Sequence, residues 1–105
     1  MDQLTDLNLS GTNVTDAGCV HLASMKYLKS LDLEETEITD AGAEHLSKLT
    51  GLEKLYLHGT KVTDRGARAL HRLKSVKTMY FDDTAVTNEA IKAFKKAVLG
   101  SKPSN

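Results

Sequence analysis

The chain has 105 residues, 40% of them hydrophobic and 27% charged, enough for one domain with a modest core. Its single cysteine cannot form an internal disulfide, so nothing demands an oxidising compartment, and a reduced, cytoplasmic setting is the expectation. No stretch approaches the roughly 18 apolar residues of a membrane span, and the start, MDQLTDLNLS, lacks the basic and apolar segments of a secretory signal. Without such a signal the sequons at Asn8 and Asn13 read as chance. The net charge of zero conceals a polarity along the chain. Residues 1–52 carry 3 Lys and Arg against 9 Asp and Glu, a net −6, while residues 53–105 carry 11 against 5, a net +6.

Taken in chain order, the first element is a short strand near 6–9, where Leu4, Leu7 and Leu9 alternate with polar residues. Thr12 and Val14 close a turn, Thr15 and Asp16 supply a capping residue and a first-turn carboxylate, and Gly18, Cys19, Leu22 and Met25 mark one stripe of a helix over 16–26. The same sentence is then repeated. Leu28, Leu31 and Leu33 give a strand near 30–33, followed by a helix over 40–50 striped by Gly42, Ala43, Leu46 and Leu49. Leu52, Leu55 and Leu57 give a strand near 54–57, followed by a helix over 64–74 striped by Gly66, Ala67, Leu70 and Leu73. Val76, Met79 and Phe81 give the fourth strand near 78–81. A helix over 88–99 follows, with Ala90, Ile91, Phe94, Ala97 and Val98 inside and Glu89, Lys92, Lys95 and Lys96 outside. Leu4, Leu28, Leu52 and Val76 are each 24 residues apart, and the phrase GTNVTDAG returns as ETEITDAG and GTKVTDRG. Thr12, Thr36, Thr60 and Thr84 form one column, expected to be an inward ladder of hydroxyls bonded to the turn backbone.

The column pattern LxxLxLxxTxVTDxGxxxLxxL over residues 4–99 resembles the leucine-rich repeat family. It looks nearest to the 24-residue Thr-containing repeats of bacterial proteins and is more distantly similar to the Cys-containing repeats of F-box and ribonuclease-inhibitor-like proteins. The resemblance implies an α/β solenoid of four strand-turn-helix units, 4–27, 28–51, 52–75 and 76–99, in a single domain spanning 1–105 with a C-terminal cap and tail at 88–105. It specifies an architecture far more than an activity. The curvature follows separately from spacing. Parallel strands sit about 4.8 Å apart while packed helices need about 8–10 Å, so the strands form a concave parallel sheet and the helices take the convex side.

On that concave face the outward columns are Asp6, Ser30, Lys54 and Thr78; Asn8, Asp32, Tyr56 and Tyr80; Ser10, Glu34, His58 and Asp82; and Gly11, Glu35, Gly59 and Asp83. Tyr56 and Tyr80 fall side by side with His58 next to them, and Asp32, Glu34, Asp82 and Asp83 surround them. Tyrosine gives large contact area at low entropic cost, and carboxylates meet basic groups. Asp32, Glu34, Tyr56, His58, Tyr80 and Asp82 are therefore the candidate partner-binding residues. The competing reading is that tyrosines favour strands and charges keep the face solvated.

The remaining chemistry-bearing residues read as structural. Cys19 shares a column with Ala43, Ala67 and Ile91 and is expected to be a buried small residue rather than a reactive thiol. His21 and His45 lie one repeat apart, too far to converge on a metal that wants four ligands. The glycines before each helix stripe carry an Asp two residues earlier, which repels phosphate; close packing between helix and sheet is their expected role. Arg65, Arg68, Arg72, Lys74, Lys92, Lys95 and Lys96 make a basic convex side without interleaved aromatics, read as a solvated face rather than a nucleic-acid site. No nucleophile, base and orienting acid come together, so neither an enzyme nor a cofactor is expected. The expected function is a protein-interaction module that recognises a partner on its concave face. The alternative is a structural spacer or sensor segment of a larger bacterial protein, with no ligand of its own. Gly100 and Pro103 read as a helix stop and a cap, whereas Met1 falls midway through a repeat's register. The expectation is a C-terminal piece of a longer repeat protein, or self-association through the uncapped N-terminal end.

Overall fold

The computed structural model describes residues 4–99, so Met1, Gly100 and Pro103 lie outside the described residues. Strands β1 (Asp6–Asn8), β2 (Ser30–Asp32), β3 (Lys54–Tyr56) and β4 (Thr78–Tyr80) form one parallel sheet in the order β1-β2-β3-β4. Leu7, Leu31, Leu55 and Met79 stand opposite one another, so the register equals the 24-residue step of the sequence. Each strand is followed by a helix: α1 (Asp16–Leu22), α2 (Asp40–Leu46), α3 (Asp64–Ala69) and α4 (Asn88–Phe94).

Two boundaries differ from the sequence expectation. Regular strand geometry ends one residue early, yet the ladder continues, since the Leu9, Leu33 and Leu57 amides donate to the carbonyls of Asp32, Tyr56 and Tyr80 at 2.8–3.0 Å. The helices stop about a turn early. Met25, Leu49 and Leu73 close tight turns by donating to Leu22, Leu46 and Leu70 at 2.9–3.0 Å, and α3 itself ends in a 3₁₀ turn over Leu70–Arg72. A three-residue apolar spacing suits a 3₁₀ turn as well as an α-helix, so periodicity could not place that boundary. After α4 the chain widens into a π-helical turn, Lys95–Leu99.

The core lies between sheet and helices. Leu31, Leu33, Ile38, Leu46, Leu55, Leu57, Val62 and Leu70 are completely buried, whereas Leu4, Leu7, Leu9 and Val14 of the first unit are only partly covered. Cys19 is also fully buried, and burial, with a smaller contribution from the nearby Asp16 carboxylate, pushes its thiol pKa up to about 12.

All four column threonines bond as their position requires, with the hydroxyls of Thr12, Thr36, Thr60 and Thr84 donating to Leu9, Leu33, Leu57 and Phe81 carbonyls at 2.5–2.8 Å. The inward ladder, however, is confined to the middle. Thr36 and Thr60 are buried, Thr84 is half-buried and Thr12 is exposed, because the outer units lack a neighbour on one side among the described residues. Thr60→Val is expected to lower stability by about 1–3 kcal/mol, since it leaves the buried Leu57 carbonyl without this partner. Thr12→Val should be nearly neutral. Urea titration of the two variants checks the contrast, and equal effects would contradict it.

The helix-start aspartates act between units rather than within them. Asp16 Oδ1 accepts the Thr39 amide at 2.8 Å and its Oδ2 accepts the Thr39 hydroxyl at 2.5 Å; Asp40 clasps Thr63 in the same way and also accepts the Gly66 amide at 3.1 Å. Asp64 repeats the clasp on Thr87. This adds to the reading of the glycines. A Cβ on Gly42 or Gly66 would lie 2.4 or 2.5 Å from the preceding unit's Asp oxygen and 2.8 Å from the side chain of Ile38 or Val62, so these residues make room both for a carboxylate from the neighbouring helix and for close packing within their own unit.

Candidate functional site

The concave sheet presents its side chains in rows because parallel strands in perfect register stack identical offsets. Tyr56 and Tyr80 stand directly opposite each other on β3 and β4, and their rings stack with centroids 5.3 Å apart and planes 18° from parallel. Tyr80, at the open side of the pair, is 47% exposed. Towards β1 the same row changes character. Asn8 and Asp32 bend back to accept the amides of Ser10 and Glu34 at 2.9 and 3.0 Å, and a shallow depression lies among Asp6, Asn8, Ser30, Asp32 and Tyr56.

His58 is placed in the next outward row, half-buried, with Nε2 3.2 Å from Glu35 Oε2 and 3.7 Å from Asp83 Oδ2. The structure thus brings Tyr56 and Tyr80 together, while His58, two residues beyond Tyr56, contacts Glu35 and Asp83. Asp32 and Glu34 are half-buried and Asp82 is exposed on the same face, but none of the three pairs with the histidine. Its partners are Glu35 and Asp83, one column further on. Their backbones adopt the left-handed region at φ 58°, matching Gly11 and Gly59 at 73° and 74° in the same column. The signal for this was present in the sequence, since glycine in two of four repeats marks a left-handed position, and the two exceptions are both acids. Gly59 is needed for a second reason: a Cβ there would lie 2.6 Å from a Glu35 carboxylate oxygen, so the Glu35 side chain crosses over it to reach His58.

The rest of the surface offers less. A groove between α3 and α4, lined by Arg68, His71, Glu89 and Ala90 among others, arises where Ala90 replaces the glycine of earlier units. Its Asp64 is already committed to Thr87, and His71, an edge-on neighbour of Phe94, has its pKa lowered by burial and by Lys74 and Arg68. Among the described residues no group of three or more His, Cys, Asp or Glu side chains is arranged to hold a metal ion. Nor is any helix among them long and apolar enough to cross a membrane.

Known proteins share this architecture. The chain matches structures of the second actin-binding site of leiomodin-1 (TM-score 0.75, 16% identity) and of an internalin from Listeria monocytogenes (0.58, 17%), each over 91% of its length. An internalin C2 from the same organism matches 80% of the chain at a TM-score of 0.52 and 21% identity. The chain spans 64%, 34% and 44% of those three structures. No curated protein sequence matches it. The family model described as leucine rich repeat matches residues 2–62, more than half of the sequence. With four strand-turn-helix units in 24-residue register around one leucine core, the chain belongs to the leucine-rich repeat family.

Proposed function

We propose that the chain is a non-catalytic protein-interaction module that recognises its partner on the concave sheet. The stacked Tyr56 and Tyr80 carry the reading. Two aromatic rings held against each other on a rigid strand pair form a pre-ordered apolar platform, and such aromatics anchor interfaces when a partner desolvates them. Around the platform, Asp32, Glu34, Glu35, Asp82 and Asp83 set an acidic rim, which fits a partner surface bearing Lys or Arg, with His58 held between two of those acids. That the leiomodin-1 structure is named for an actin-binding site supports protein recognition on this type of scaffold; at 16% identity it transfers no particular partner.

The test is affinity capture with the intact chain and with a Tyr56→Ser, Tyr80→Ser double variant. Both side chains face solvent on the concave side, so the variant should fold, as checked by its thermal transition. Capture of the specific partner is expected to fall at least about tenfold, equivalent to about 1.4 kcal/mol or more. Unchanged capture would place recognition elsewhere.

A further inference from the structure

The two ends of the sheet are complementary. Between neighbouring units every strand uses one edge to donate from offsets 9 and 11 and to accept at offset 5: Leu33 and Glu35 donate to Tyr56 and His58, while the Lys29 carbonyl accepts from Glu53 and Lys54. Among the described residues β4 has no neighbour on that edge, so the amides of Phe81 and Asp83 and the carbonyl of Lys77 face outward. The edge of β1 that is likewise unpaired among the described residues offers the opposite set, namely the carbonyls of Asn8 and Ser10 and the amides of Thr5 and Asp6. Continuing the 24-residue step places Thr78 opposite Asp6, Met79 opposite Leu7 and Tyr80 opposite Asn8, with every one of these groups paired.

The surfaces beside the edges match as well. Beside β1 lie the partly covered Leu4, Leu7, Leu9 and Val14; beside β4 lies a groove of about 240 Å³ in which Met79, Phe81, Ile91 and Phe94 are joined by Tyr80, Asp82 and Lys95. Thr15, alone of the column containing Thr39, Thr63 and Thr87, makes no side-chain cap bond, and Asn88 holds an amide oxygen where Asp16, Asp40 and Asp64 hold the carboxylates that clasp those threonines. Charge selects the orientation. Joining like ends would bring together halves of equal net charge, −6 with −6 or +6 with +6, whereas joining opposite ends brings −6 against +6.

We propose that the chain self-associates head to tail, with β1 of one copy adding to β4 of another as a continuation of the solenoid. Such a contact is heterologous and does not close on itself, so it extends beyond a dimer as concentration rises. It pairs the backbone edges of the two strands, with Tyr80 beside the joint and Tyr56 one strand away from it.

Sedimentation of the whole chain over a concentration series, at about 0.05 M and about 0.5 M salt, tests the proposal. The expected result is a mean mass that climbs past twice 11.5 kDa and falls at the higher salt. Thr5→Pro removes a β1 donor that no bond within the described chain uses, and should weaken association at least tenfold; added to the parent chain it should act as a chain stopper and shorten the assemblies. Should that variant melt differently from the parent, Lys95→Glu, an exposed change at the rim of the groove, takes its place with a several-fold weakening expected. A monomer at every concentration, a plateau at the dimer that marks like-end pairing, or unaltered association in the deciding variant would each overturn the proposal.

Discussion

Asp40→Ala is expected to destabilise the chain by about 3 kcal/mol. One carboxylate accepts three hydrogen bonds from the following unit, from the Thr63 amide at 2.7 Å, the Thr63 hydroxyl at 2.5 Å and the Gly66 amide at 3.1 Å. A bond to a charged acceptor contributes about 1.5–3 kcal/mol, and three that share one side chain are less than additive. The loss is severe because Gly66 is buried and Thr63 half-buried, which leaves their amides with little access to water. Asp64→Ala supplies the internal control. It frees only Thr87, which is exposed, and no amide of Ala90 depends on it, so about 1 kcal/mol is expected. Urea unfolding of both variants, followed by far-ultraviolet circular dichroism, makes the comparison. Equal losses would show that the clasp does not carry the contact between units.

Leu55→Ala is expected to cost about 3–5 kcal/mol, at the upper end for a leucine truncation. Leu55 is completely buried at the middle of the sheet between Leu31 and Met79, and rigid strands on either side limit the collapse that would shrink the cavity. Leu7 holds the same column in the first unit but is only partly covered, so Leu7→Ala should cost about 1–2 kcal/mol. In a stacked array the stability of each unit depends on its neighbours, so the central truncation should also loosen the amides of the flanking units. Hydrogen exchange on both variants would read this directly, and protection lost only at the third unit would contradict it.

Much of this architecture was legible because each unit restates it. A single run such as Leu28, Leu31 and Leu33 could open a strand or a helix, but four copies fix the period, the buried face and the register together. The helix ends were not legible, since Met25 and its counterparts satisfy the stripe in an α-helix or a tight turn alike. The role of Asp16, Asp40 and Asp64 was misplaced for a related reason. An acid at a helix start satisfies the local rule for capping, and only the approach of the next helix shows that its carboxylate is engaged 23 residues away. At the candidate site, the row containing Tyr56 and Tyr80 follows from alternation alone. Of the two acids beside His58, Asp83 was among the neighbours expected and Glu35 was not, because Glu35 reaches it from a turn whose left-handed geometry alternation does not describe.

That turn column has an evolutionary consequence. A non-glycine residue in the left-handed region costs on the order of 1 kcal/mol or more, which glycine avoids. Two of the four units take the comfortable solution at Gly11 and Gly59, and two keep an acid at Glu35 and Asp83 where it can flank the histidine. The column therefore works as a dial that each repeat sets separately. Drift towards glycine at 35 or 83 would relax the backbone and remove one charge from the rim, while an acid gained at 11 would extend the rim towards the first unit. A family of such chains can thus retune the charge along the hollow of the solenoid, one unit at a time, without disturbing a single leucine of its core.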